Sequence, residues 1–482
     1  MPPARPPRRG GPALRARPGA GRGGVTRTGA AARGEAAAAG AEPPGEAPEP
    51  GRRGLLRRAA AAAGGALWGA AGPARAELGP ECEWPLYLAL PMSGGLATSR
   101  RKTIRRELVP GRVWAFDQAI GIFYVSVPIR MTVVAMETGG LFVYAPVAPT
   151  EECLGLLRPL IREHGPVRFI VLPSVAVEHK VLAGPFAKRF PSADFYATDR
   201  QYAWPLNLPS SFLGLPAWTQ PLPASSAQMG GGEPPWAGEF EHAVLRVKPG
   251  VGSDYQDAAF LHKPSKTLLV CDALYACTEE PPPILQADAD QVRGLLFHAR
   301  DAADEEVVDT PANRRKGWRR IILYANFFIP GAADADLGPG PIADALRHAD
   351  YPAGWGGWLP FRWRATERRD FEQFAAGGKP NILPIIQIIL ARGPEALDAW
   401  VATIKGWDFE QVVPAHLDAP LKIGPAEFAA TVSAGRRTRG ERGGLTDEQR
   451  HSSSTPPSAG AGTRSGPATR TCSSCARRKR GC

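Results

Sequence analysis

Three apolar runs in this sequence each end in side chains able to do chemistry. Val167–Leu172 leads into P-S-V-A-V-E-H and so delivers Glu178 and His179. Thr267–Cys271 stops at Asp272, and Gln411–Pro414 is followed by Ala415 and His416. Loops held at strand ends are where rigid scaffolds present functional groups. Two imidazoles and two carboxylates form an N/O donor set suited to a zinc-like ion, drawn here from only eight histidines. Each residue alone would more often be a cap, a turn former or a satisfied hydrogen-bond partner. Other chemistries lack their residues. There is no G-x-S-x-G, no G-x-x-x-x-G-K-[ST] and no G-x-G-x-x-G after a strand, so serine-triad hydrolysis and phosphate cradling have no support. Cys472-x-x-Cys475 has only Cys482 nearby and no adjacent histidine, which leaves a zinc site without its second ligand pair.

The elements that must position these residues follow from the patterning. Arg112–Phe116 and Ile122–Val127 read as short strands, and 273–320 reads as an irregular, charged insertion. Arg130–Glu137 and Leu141–Ala145 flank Gly139-Gly140, a hairpin signal. Thr150 reads as an N-cap, with Glu151 and Glu152 in the first turn and Leu154, Leu157, Leu160 and Ile161 at helical spacing. A helix through Phe186 and Phe190 and a strand at Asp194–Ala197 come next. Residues 201–239 form a long Pro/Trp/Ser/Gly-rich loop. Strands resume at Phe240–Val247, Ala258–His262 and Thr267–Cys271, helices at 366–376, 384–391 and 394–403, and a last strand at Gln411–Pro414. No repeat of 20–50 residues is present. The order predicts an α+β protein with mixed sheets.

Charge separates the chain into three stretches. Residues 1–76 hold 13 Arg against 4 Glu, and 435–482 hold 11 basic against 3 acidic residues; 77–434 keep 34 basic and 40 acidic. The overall excess of +11 therefore belongs to the ends. A nucleic-acid binder carries its basic footprint on the folded domain, so no nucleic-acid partner is expected. No apolar run reaches the length of a spanning helix. Seven scattered cysteines do not describe a disulfide framework. The first 34 residues have eight Arg and no acid; then Arg52-Arg53 and Arg57-Arg58 precede the apolar run Ala59–Ala71 and Ala74-Arg75-Ala76. An Arg-rich leader followed by a twin-arginine-like signal with an A-x-A site resembles a bipartite plastid presequence. The expectation is a targeting segment at 1–76, a folded domain at 77–434 and a disordered basic tail at 435–482, in a chloroplast protein, with the twin-arginine-like signal pointing to the thylakoid lumen.

The whole arrangement resembles the metallo-β-lactamase superfamily and, within it, a plastid and cyanobacterial family of unknown function. The resemblance spans roughly 84–434. It rests on P-I-R-M-T-V-V (128–134), G-G-L-F-V-Y-A-P (139–146), L-P-S-V-A-V-E-H-K (172–180), H-K-P-S-K-T-L-L-V-C-D-A-L (262–274) and V-V-P-A-H (412–416). It implies an αββα sandwich with long insertions and a site at one sheet edge. The superfamily's H-x-H-x-D-H falls on Ser174-x-Ala176-x-Glu178-His179, with two histidines absent and Asp replaced by Glu. A third histidine, due near Gly252-Ser253, is also missing. His262 reads as part of a turn and is not taken as a ligand.

The three lost histidines belong to one metal position, while Glu178, His179, Asp272 and His416 match the other. The resemblance thus implies a mononuclear metal-dependent hydrolase of an ester-type bond, with Glu178 and Asp272 as catalytic residues and one zinc, iron or manganese ion. The alternative is a metal-free, catalytically inactive binding or assembly protein in the plastid. The partner would be a small-molecule substrate or another protein. Ser174, Ala176 and the Gly252-Ser253 turn should line the vacated position. Under the metal-free alternative the Trp-rich segments Trp204–Trp218 and Trp355–Trp363 would be a recognition surface or, otherwise, lid packing.

Overall fold

The computed structural model describes residues 81, 83–84, 99–122, 125–201, 209–226, 233–248, 250, 254–302, 304–327, 332–335, 338–340, 343 and 361–437. The expected leader at 1–76, Gly252-Ser253, Trp204, Trp355 and residues 438–482 of the expected tail, with Cys472, Cys475 and Cys482, lie outside these residues; 435–437, expected to be disordered, instead close the last helix.

Two mixed sheets carry the architecture. The larger has seven strands in sequence order: β1 (Ile104–Val109), β2 (Val113–Ile122), β3 (Val125–Ala135), β4 (Leu141–Tyr144), β5 (Val167–Leu172), β6 (Asp194–Ala197) and β7 (Gln220–Pro221). β1 to β4 pair antiparallel, and β4 to β7 pair parallel. The change of direction follows from the connections. Met136–Gly140 closes the β3–β4 turn, with Gly139 and Gly140 at φ 81° and 85°, a backbone that glycine adopts without steric cost. A helix, α1 (Glu151–His164), then carries the chain back so that β5 can run parallel to β4. Thr150 caps α1, its hydroxyl accepting the Cys153 N–H. The smaller sheet has the order β8 (Phe240–Val247), β9 (Tyr255–His262), β10 (Thr267–Val270), β11 (Gln411–Pro414), with β10 and β11 parallel.

Alternation along the strands decides the layers. In β4, Leu141 and Val143 pack against α1 and α2 (Val177–Lys188), while Phe142 and Tyr144 face the other sheet. In β9 and β10, Leu261, Leu268 and Val270 meet α6 (Pro384–Leu390), α7 (Pro394–Lys405) and α8 (Pro425–Arg437); Phe260 and Leu269 face inward. Strands buried on both faces read as continuous apolar runs for this reason. The inner layer joins Phe142, Phe169, Phe240, Phe260 and Trp236. The protein is α+β with the expected αββα layering.

Several expectations need correction. Residues 273–320 are not irregular throughout: α3 (Ala289–Ala299) lies inside that stretch, and α4 (Pro311–Phe327) begins in it and runs past its end. The charges hid an apolar face. Trp318, Ile321 and Ile322 of α4 pack into a fourth cluster with Leu295 and with Phe371 and Phe374 of α5 (Glu367–Ala375). The arginines between them are paired, as Arg319 and Arg320 are with Glu367. Gly317 lets the two helices touch, since a Cβ there would lie 1.8 Å from the Leu295 carbonyl oxygen. Strand β1 and helix α8 were also not anticipated. Ile122–Val127 is divided between β2 and β3, and the 201–239 loop includes β7. His262 ends β9 as a buried residue rather than sitting on a turn. No helix among the described residues is long and apolar enough to cross a membrane.

Candidate metal centre

Register brings the first two residues together. β10 and β11 pair in parallel with Val270 opposite Pro414, so Asp272 and His416, each two residues further on, emerge side by side. The His416 Nε2 lies 3.3 Å from Asp272 Oδ1. The other two come from the opposite sheet. β5 ends at Leu172, and Pro173 ties the sheets by accepting the Ala258 N–H at 2.9 Å. Glu178 and His179 then sit in the first turn of α2, on a helix rather than the loop expected from the sequence. His179 Nε2 is 3.0 Å from His416 Nε2 and 3.9 Å from Asp272 Oδ1. One donor atom from each of Glu178, His179, Asp272 and His416 lies within 4.8 Å of all the others.

The surroundings orient these donors. His416 Nδ1 sits 2.8 Å from the Pro128 carbonyl. A carbonyl can only accept, so Nδ1 carries the proton and Nε2 presents a lone pair to the cluster. His179 is fully buried, and its Nδ1 has no hydrogen-bond partner. Ser174 Oγ donates to Asp272 Oδ2 at 3.2 Å. Burial alone would raise the Asp272 carboxyl, but hydrogen bonds and charge from His179 and His416 hold it well below the usual carboxylate range. Burial works against a charged His416 too, yet Asp272 raises it above the ordinary histidine value. Lys180 turns away to the Gln201 carbonyl, and burial lowers it to about 8 against the pull of Glu178. Glu178 and His416 are the partly exposed members, and His179 and Asp272 are buried.

Ser174 lies beside Asp272, and its Oγ also accepts the Ala176 N–H. Sequence reasoning missed Asp257. This fully buried carboxylate accepts the backbone N–H groups of Cys271, Asp272 and Ala273 at 3.1, 2.7 and 2.8 Å. Its signal was an acid inside the apolar stretch Y-Q-D-A-A-F. Trp218 is exposed, and Trp363 lies under the Arg320 guanidinium.

The donor set fits a metal ion. Two ligands opposite each other at 2.0–2.2 Å from one ion stand about 4.4 Å apart at most, and the four donors span little more. His416 has the anchored outer nitrogen that ligating histidines need.

Residues 110–433 match the family model for the domain of unknown function DUF4336. The chain belongs to this family. No curated protein matches it. Among solved structures it is similar to the metallo-β-lactamase FIM-1 from Pseudomonas aeruginosa in its mono-zinc form (10% identity, 71% of this chain and 97% of that one, TM-score 0.31). It is also similar to the metal-soaked Flv1 flavodiiron core from Synechocystis sp. PCC6803 (8%, 70% and 61%, TM-score 0.34). A third is a diflavin flavoprotein A 5 fragment from Nostoc sp. PCC 7120 (7%, 72% and 99%, TM-score 0.36). At such scores the layering described above rests on this chain's own strands, and the chemistry of those proteins stays with them.

Proposed function

We propose that this DUF4336 protein is a mononuclear metal-dependent hydrolase of an ester-type bond, with Glu178, His179, Asp272 and His416 holding one zinc, iron or manganese ion. The observation that carries the reading is the convergence of four N/O donors from two sheets, one imidazole having its Nε2 lone pair fixed inward by a backbone carbonyl. Such an ion supplies Lewis acidity and lowers the pKa of water. The chain's residues do the rest. Asp272, kept ionised by its histidine neighbours, contributes fixed negative charge, and Ser174 orients it. Glu178 is assigned the proton: its partly exposed carboxylate accepts one from the attacking water and returns it to the leaving oxygen.

A second reading is favoured by one observation. A proton on His179 Nε2 donated to His416 Nε2 at 3.0 Å, beside Asp272, would satisfy the cluster without an ion. The protein would then be an inactive binding or assembly relative. Metal analysis of the full-length wild type and His179→Ala decides between them. The hydrolase reading expects about one ion per wild-type chain and loss of that ion in a folded variant. A metal-free wild type that folds as well with alanine at 179 would refute it.

Import into a plastid, with processing after Ala76 on the way to the thylakoid lumen, is proposed on the Arg-rich start, the paired arginines and Ala74-Arg75-Ala76. N-terminal sequencing of the protein isolated from its host checks it; an intact Met1 would contradict it.

A further inference from the structure

We infer that Arg130, backed by Asp117 and Arg106, is the positioning residue that sets the direction of His416. The consequence for metal binding rests on the reading above; the geometry rests on the loop itself. That loop needs holding. Leu417, immediately after the histidine, has φ 58°, a left-handed backbone that disfavours any side chain with a Cβ and persists only where neighbours over-determine it.

The neighbours doing so are few and specific. The Arg130 backbone N–H donates to the Ala415 carbonyl at 2.7 Å. Its guanidinium, 2% exposed, donates through Nη1 to the Pro414 carbonyl and through Nη2 to the Leu417 carbonyl, each at 2.7 Å. One rigid fork thereby grips the chain on both sides of His416. The fork is itself held, because Arg130 Nε lies 2.7 Å from Asp117 Oδ1. The other Asp117 oxygen takes Arg106 Nε and Nη2 at 2.9 and 2.8 Å, and Arg106 Nη1 reaches the Ala419 carbonyl at 3.0 Å. Two guanidinium groups bridged by one carboxylate thus occupy the carbonyls of Pro414, Leu417 and Ala419.

Pro128, whose carbonyl fixes the His416 tautomer, stands on the same strand two residues before Arg130. Strand and side chain act on one imidazole together. A lysine, with a single ammonium, has no fork to span both carbonyls. A cleft of about 280 Å³ is lined by Arg106, Asp117, Arg130, Leu417 and Asp418, and Arg106, with its side chain 32% exposed against 2% for Arg130, is the member whose substitution disturbs buried packing less.

The test uses full-length Arg130→Lys and Arg106→Gln with two readouts. Nitrogen-15 correlation spectra of histidine-labelled, metal-free protein report the His416 tautomer, and cobalt(II) titration followed by visible absorbance reports affinity. Recorded at alkaline pH, above the raised value of His416, wild type is expected to show a single Nδ1–H form at His416. Arg130→Lys should lose that uniformity and bind cobalt about 10–100-fold more weakly, and Arg106→Gln should move both readouts in the same direction by less. A folded Arg130→Lys with an unchanged tautomer and unchanged cobalt affinity overturns the inference. If Arg130→Lys does not fold, Arg106→Gln decides by the same criteria. If wild type takes up no cobalt, the metal reading fails by itself, and the tautomer alone decides on Arg130.

Discussion

Asp257 shows how one buried side chain can hold a functional one in place. It takes three consecutive backbone N–H groups around Asp272, and the Tyr255 hydroxyl donates to it at 3.4 Å. Burial, helped by the Asp272 charge, pushes its own carboxyl up to about 6. Asp257→Ala would strand three buried donors, each costly to leave unpaired, so a loss of about 3 kcal/mol or more is expected. Asp257→Asn, which keeps one good acceptor, should cost roughly half as much. Urea midpoints of the two variants check the order. Asp257 was visible in the sequence only as a charge in an apolar strand. The turn it holds was not, because those N–H groups belong to residues fourteen to sixteen positions away.

At the scale of elements, the β8–β9 hairpin carries two buried histidines in register: Phe240 lies opposite His262, and His242 opposite Phe260. His242 stacks on Phe260, is hydrogen-bonded by Ser226, and points Nε2 at the Pro223 carbonyl. His262 meets Ser265 and lies near Glu239, whose charge opposes the effect of burial, with Arg112 adding to it. Burial lowers both to about 4. Each is thus neutral in the fold but takes up a proton near pH 6.5 when unfolded. Stability from this source is complete above the unfolded value and is lost as pH falls towards about 4. Each histidine should cost about 2 kcal/mol by pH 5. Comparing wild type with His242→Gln at pH 7 and pH 5 isolates one of them; the variant should lose about 2 kcal/mol less, and equal losses would contradict the assignment.

For the whole molecule, the layer between the sheets is what brings distant strand ends together. Phe142 of β4 sits there fully buried, with ring centroids 4.3 Å from Phe240 and 5.3 Å from Phe260, both on the smaller sheet. Phe142→Ala should cost about 3–5 kcal/mol through lost burial and the cavity left behind. It should also loosen the donor cluster, because Glu178 and His179 hang from one sheet and Asp272 and His416 from the other. Thermal unfolding gives the first quantity. Histidine spectra at a temperature where the variant is still folded give the second, and sharp, unmoved His179 and His416 signals would contradict it.

Local patterning determined most of the strands, the Thr150 cap, the Gly139-Gly140 turn and five of the helices α1–α8, because period, capping chemistry and glycine freedom act over a few residues. It also determined that polar side chains would follow apolar runs at Glu178, His179, Asp272 and His416. Helices α3 and α4 stayed hidden because their charges are neutralised by partners far along the chain, such as Glu367 for Arg319 and Arg320. Only the tertiary structure decided that the four donors meet, through the Val270–Pro414 register and the Pro173 bridge between sheets. Only it revealed that Arg130 and Asp257 hold them, because those contacts join residues that sequence order keeps apart.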